Sequence, residues 1–395
     1  MNDSRAAFSR RDAFMLAGVL LVTLIAYLRC LGNGFVFDDD VLIVNNPYLG
    51  EWSFLWKSLF RGLYWFTDPQ LSAIVRYRPL LLIWFALNDH LFGLQPMGWH
   101  AAMVAVHLLV VWLVYKAALR LSGDRYAGLL SALLFGLMPS HAEAVVWAAG
   151  FGLVMSGGFE LGALYLVMER ARAWWRNWAL ALGLFAGALL SHEAAVAFPG
   201  LVAAYAIWLE SPGATSADSD LFPRLRRALV CVAPFALEVL LYLVARRLVL
   251  GFLTSNPATP TNLASLPQLV MTVPAVIATY LAVLVIPWWA GPVHRVLPVL
   301  SPLSPGFYLP LAALAAIGSA FLLAVRNSPK RRLYLFCAAW TAIAMALLMN
   351  LRALRMDQLV HDNYLYLASF GWCLMVADWA VGVARRGVMA RRLVW

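Results

Sequence analysis

Long apolar runs recur through this chain and leave few options for its fold. They lie near 13–31, 98–119, 126–138, 151–168, 177–190, 194–209, 228–250, 308–325, 333–350 and 364–383. An α-helix needs about 20 apolar residues to cross a bilayer. In lipid only helices and closed barrels satisfy every backbone hydrogen bond. A barrel would show short alternating segments. The runs therefore predict an all-α polytopic membrane protein. Composition agrees: of 395 residues 63% are hydrophobic and 13% charged, with a mean hydropathy of +0.76. A soluble domain could not cover that much apolar side chain.

The basic residues set an expected topology. The net charge of +10 is not a nucleic-acid footprint, because the basic residues sit in short clusters between spans, as topology signals do. Arg5, Arg10 and Arg11 precede the apolar run Ala13–Leu31 as in a signal peptide, but no small-residue cleavage site follows. An uncleaved first helix is expected. The run 267–287 decides the parity. If it does not cross, 20 of the 30 basic residues fall on one side, which the positive-inside rule identifies as cytoplasmic. The expectation is ten crossings in a single domain, 1–395, with both termini cytoplasmic. The outer segments are a long first loop, 32–97, and 251–306, the latter with a re-entrant or surface-lying helix. Pro257, Pro260, Pro267, Pro274, Pro287, Pro292 and Pro298 in that second segment favour irregular structure over a plain span. Cys30, Cys231, Cys337 and Cys373 are scattered and suggest neither disulfides nor a zinc site.

This topology gathers the unusual polar residues on the outer face. Asp38, Asp39, Asp40, Arg78, His141, Glu143, His192, Glu193, Arg246, Arg247, His294, His361 and Asp362 all fall at outer helix ends or in outer loops. Three consecutive carboxylates at a membrane edge have no use in a helix and mark chemistry or transport; the bland alternative is a solvated acidic turn. In the same loop Trp52, Leu55, Trp56, Leu59 and Phe60 recur at helical spacing. They predict an amphipathic helix in the headgroup region, either an anchor in the membrane lipids or a floor for an active site. Leu80–Leu94, after Pro79, is expected to be a second, partly embedded helix.

The order of motifs is more specific. GFVFDDDVLIVNNP is followed by YRPL at Tyr77–Leu80, HLFGLQPMGWH at His90–His100, LLFGLMPSHAEAVVW at Leu133–Trp147, LLSHEAAVAFP at Leu189–Pro199 and HDNYLYLASFG at His361–Gly371. This order resembles the TMTC-type O-mannosyltransferases and their bacterial relatives, in the GT-C superfamily of polyprenyl-phosphate-sugar-dependent glycosyltransferases. The resemblance covers roughly residues 30–200, and 360–371 more weakly. It implies a GT-C-like fold, a catalytic aspartate in the first outer loop, a lipid-phosphate sugar donor and transfer to an acceptor outside the cytoplasm. Many relatives continue into a tetratricopeptide array. No 34-residue helical period is present before Trp395, so a bacterial cytoplasmic membrane is the expected setting. Three basic positions usual in the family are replaced here by Gly150–Leu153, by His192 before Glu193 and by Asn363 before Tyr364.

Glycosyl transfer to a hydroxyl needs a base and a stabilised leaving group. Asp38 or Asp39 is the expected base, since adjacent carboxylates raise each other's proton affinity. Asp40 would orient a neighbour or hold a divalent metal, though no His/Asp spacing demands a metal. Arg78, Arg246 and Arg247 are the candidates for the donor phosphate, with Arg352 and Arg355 behind them; snorkelling to lipid headgroups is the alternative. Of the adjacent Arg246 and Arg247, at most one is expected to point inward. Ser140 and Glu143 read as an S-x-x-E capping box, while the family resemblance places His141 and Glu143 beside the donor. Ser191 reads as a cap; His192 could replace the missing lysine if protonated, giving an activity that falls at alkaline pH. Asp362 lines the site, and Tyr364 belongs there or to the interfacial aromatic belt. His100 and His107 share a helix face and read as buried histidines bonded to neighbouring helices. Two other readings remain open: a non-catalytic relative that binds lipid-linked sugar or a partner, and a transporter or flippase. The second expects charges at mid-span, whereas the acids are read at span ends.

Overall fold

A computed structural model describes residues 9–67, 76–169, 174–209, 221–253, 265–346, 349, 351 and 358–392. Arg5, Arg170, Arg172, Pro257, Pro260, Arg352 and Arg355 lie outside these. Among the described residues the chain is helical, and its one β-bridge is the isolated pair His294–Val360.

Six helices among the described residues are long and apolar enough to cross a membrane: Arg10–Gly32, Pro96–Ser122, Phe222–Leu250, Leu266–Val285, Pro305–Val325 and Asp362–Gly387. Five match expected spans. Other expected spans are shorter helices, among them Arg125–Gly136 and Gly152–Met168. The chain is an integral, multi-pass membrane protein. Leu266–Val285 is one unbroken helix, long and apolar enough to cross, where a re-entrant or surface-lying helix was expected. Pro267 sits in its first turn, where no N–H is needed, and Pro274 is accommodated inside it. After this helix the chain turns irregular at Pro287, which opens a short 3-10 turn.

The core forms where Gly152–Met168 packs between Pro96–Ser122 and Trp174–Ser191, and Leu365–Arg392 packs on Arg125–Gly136 and Arg331–Ala346. Trp99, Phe135, Phe151, Phe198, Trp340 and Tyr366 are completely buried there. Gly371 lets the last helix touch its neighbour's backbone, since a Cβ would run into the Cys337 carbonyl. Buried polar pairs fix the register of that helix. His107 Nδ1 meets the Tyr366 hydroxyl at 2.8 Å, and His141 Nε2 meets Ser369 Oγ at 2.8 Å. At the far end Lys330 donates to Asp378 at 2.6 Å and Arg385 to Asp124 at 2.6 Å.

Two acids contradict the reading that acids lie only at span ends. Glu160 lies in the interior of Gly152–Met168 and Glu238 in that of Leu221–Leu250. Glu160 is tolerated because Ser156, one turn earlier, donates to its Oε1 at 2.9 Å.

Candidate functional site

The acidic turn is built on an unfavourable backbone. Phe37 has φ +54°, a left-handed conformation that bulky residues rarely adopt. The turn presents its aspartates to different surroundings. Asp39 is buried: its Oδ2 accepts the Val36 N–H at 3.1 Å and its Oδ1 the Ala149 N–H at 2.7 Å. It ties the first outer loop to the segment before Gly152–Met168. Burial, reinforced by the charge of Asp38, pushes its carboxyl up to about 6 despite those N–H donors. Asp38 is exposed and receives the Tyr64 hydroxyl at 2.9 Å; among the described residues nothing bonds its other oxygen. Asp40 is exposed and opens a π-helical turn over Asp40–Val44.

Beside this turn lies a cluster of arginines. Pro79 starts a helix, Pro79–Phe92, with Arg78 at its N-cap. Arg78 grips Glu193 with two hydrogen bonds, Nε to Oε2 at 2.7 Å and Nη2 to Oε1 at 2.9 Å. Arg76 adds a third, Nη1 to Oε1 at 2.7 Å. Two guanidinium charges on one carboxylate leave a net positive site. Arg246 is buried nearby and donates from Nε to the Leu253 carbonyl at 3.1 Å. Tyr64 joins the two halves: burial and Asp38 raise its pKa, while Arg78 and Arg76 oppose the rise.

Glu193 is placed by a helix break. Trp174–Ser191 ends, His192 turns out of the helix, and a 3-10 turn begins at Glu193. Gly152 permits the close approach there, since a Cβ would come within 2.8 Å of the Ser191 carbonyl. The late motif closes another side. Glu143 accepts the Asn363 N–H at 3.0 Å and meets His361 Nδ1 at 3.3 Å. Asp362 pairs with His294 Nε2 at 2.8 Å and accepts the Gly291 N–H at 2.7 Å. Tyr364 lies against His192, ring centroids 6.4 Å apart, and its hydroxyl acts on the charge of Arg76.

The structure thus brings together Asp38, Asp39, Arg78, Arg246, Glu193, Glu143, Asp362 and Tyr364. Five sequence readings need correction. His141 lies in the core on Ser369, away from the outer surface. Arg247 is exposed while its neighbour Arg246 is buried, one turning inward as expected. His192 is not a cationic substitute for lysine: its Nδ1 accepts the Ala194 N–H at 3.1 Å, and burial, then Arg78, push its pKa down to about 3. The Ser140–Glu143 capping box does not form, because Ser140 is helical with no cap bond and Glu143 is drawn to the late motif. Ser191, read as a cap, instead donates back to the Gly187 carbonyl at 2.7 Å. Sequence reasoning missed Arg76 and Tyr64. The alternation Arg76-Tyr77-Arg78 was the available signal, since an extended chain puts both arginines on one side.

No family model matches the chain. It is 31% identical over 195 residues to protein O-mannosyl-transferase Tmtc1 of Drosophila melanogaster, covering 48% of this chain and 22% of that one. It is 30% identical over 210 residues to TMTC3 of Homo sapiens, covering 52% and 22%. With TMTC1 of Homo sapiens it shares 34% identity over 140 residues, covering 35% and 16%. The chain is thus TMTC-like over about half its length, and the match spans less than a quarter of these curated relatives. Among solved structures, ArnT from Cupriavidus metallidurans bound to undecaprenyl phosphate aligns at 16% identity and a TM-score of 0.47, over 95% of this chain and 63% of that one.

Proposed function

We propose that the chain is a GT-C-type membrane glycosyltransferase, moving a sugar from a polyprenyl-phosphate carrier to a hydroxyl of an extracytoplasmic acceptor (protein, lipid or glycan), with Asp38 as base. The observation that carries this is the juxtaposition of Asp38, through Tyr64, with the net-positive Arg76–Arg78–Glu193 cluster. A carboxylate with a free oxygen beside arginines is what base-assisted displacement of a phosphate requires. Similarity to the TMTC proteins supports the same reading.

In this reading the acceptor hydroxyl gives its proton to Asp38 as its oxygen bonds to the anomeric carbon. The bond from that carbon to the phosphate oxygen breaks, inverting the centre, and the lipid phosphate leaves. Arg76 and Arg78 retain N–H groups beyond those Glu193 occupies, and with Arg246 they neutralise the departing charge. Asp39 bonds backbone through both oxygens and positions the turn. The active site faces outward and both termini lie in the cytoplasm, an orientation that rests on the basic clusters.

The test is sugar transfer in nanodiscs, with membrane lipid extract as donor source. Asp38→Asn should abolish transfer without lowering the melting temperature. Unchanged transfer in that variant would sink the mechanism. Glu160, which is buried, and Glu238, which is half-buried, lie in helix interiors and favour a second reading, a transporter. Proton-coupled flux into proteoliposomes by protein inactive in transfer would support it.

A further inference from the structure

Glu160 is unused by the mechanism above, and its surroundings point to a ligand. It is 1% exposed, within a membrane helix, where a carboxyl is costly unless it serves a purpose. One oxygen is paired with Ser156; the other, Oε2, is buried and has no partner among the described residues. It borders a cavity of about 20 Å³ lined also by Leu153, Ser156, Ala194, Ala197 and Tyr364. That is room for one water-sized group.

The place of the cavity matters. Ala194 follows Glu193, the carboxylate held by Arg76 and Arg78, and the Tyr364 ring faces that of His192 at 6.4 Å. Gly152 opens its helix against the Ser191 carbonyl, close to the level of that cluster. Ser156 is four residues further on, about 6 Å along the axis. Helical side chains lean toward the N-terminus, which carries the Glu160 carboxyl up to Ser156. Through Ala194 and Ala197 the cavity adjoins the turn that begins at Glu193, the carboxylate the arginines hold.

We propose that this cavity receives a single hydroxyl of the donor's sugar, whose ring lies outside it, and that Glu160 Oε2 accepts the hydrogen bond of that hydroxyl. The inference rests on the donor reading given above. It makes Glu160 a specificity-determining residue that contacts the sugar but not the reacting atoms. A buried acceptor left unpaired without that hydroxyl discriminates strongly against ligands that lack it.

The test measures binding to the full chain in nanodiscs. The probes are undecaprenyl phosphate and its mannosyl, glucosyl and galactosyl esters. Wild type should bind at least one ester about tenfold more tightly than the bare lipid phosphate, the gain of about one well-made hydrogen bond. Glu160→Leu, which replaces the carboxyl with an apolar group and should fold, should remove that preference and leave binding of the bare phosphate unchanged. Glu160→Gln keeps an acceptor oxygen and should retain part of it. Wild type binding the bare phosphate with no preference for any ester would overturn the subsite and spare the donor reading. So would a preference that survives in Glu160→Leu, or an equal loss of both kinds of probe. Wild type binding none of the probes would overturn the donor reading, and the subsite with it.

Discussion

Arg78 forks onto Glu193, Nε to Oε2 at 2.7 Å and Nη2 to Oε1 at 2.9 Å, joining the first outer loop to a helix break more than a hundred residues later. Both side chains are largely buried, 11% and 24% exposed. Removing one partner of such a pair strands the other's charge. Glu193→Gln leaves two guanidinium groups facing an amide and should cost roughly 3 kcal/mol. Arg78→Lys keeps a charge but loses the fork, so its stability loss should be smaller. Thermal unfolding of both variants in nanodiscs checks the order; a larger loss in Arg78→Lys would contradict it.

Asp39 makes stability depend on pH. Burial pushes its carboxyl up to about 6, against about 4 in an unfolded chain. Below about pH 4 both states hold the proton and the group contributes nothing. Between about 4 and 6 the unfolded chain loses the proton while the fold keeps it, so stability falls by on the order of 3 kcal/mol and stays lower above that window. The melting temperature of wild type relative to Asp39→Asn should drop across that window and then level off. A difference constant with pH would mean that Asp39 titrates alike in the folded and unfolded chain.

His192 should confer no pH dependence near neutrality. Its Nδ1 caps Ala194 and its pKa is pushed down to about 3, so the ring is neutral in any transfer assay. His192→Asn keeps a capping oxygen and should leave the alkaline side of the pH profile in place. His192→Ala removes the cap and should cost about 1 kcal/mol. An alkaline limb that disappears in His192→Asn would restore the protonated histidine.

How much was legible depended on the range of the interaction. The apolar runs record burial in lipid residue by residue, so the helical class could be read directly. Asp38 and Asp39 stood out because a bilayer edge makes carboxylates conspicuous. Their division of labour did not, since it depends on an N–H at Ala149, 110 residues away. The capping box at Ser140 and Glu143 followed local rules and was overridden by the Asn363 N–H, 220 residues on. Arg76 gained meaning only once Glu193 lay against it. The charge of His192 was misjudged for the same reason: sequence does not reveal that three arginines and full burial surround it.

The His107–Tyr366 pair allows a last, purely structural prediction. Both side chains are buried, at 0% and 1% exposure, and meet at 2.8 Å across 259 residues of sequence. Tyr366→Phe leaves a histidine nitrogen without its partner, and His107→Leu does the same to the tyrosine hydroxyl; each should cost about 1–3 kcal/mol. The double variant removes both polar groups together, so it should cost clearly less than the sum of the singles. Melting temperatures of the four proteins measure that coupling. Strict additivity would mean that the pair contributes no mutual stabilisation. The site lies elsewhere, so the double variant should also transfer sugar at close to the wild-type rate. A double variant that folds but is inactive would show that this pair also positions the late motif, whose Tyr364 is two residues from Tyr366 and faces His192.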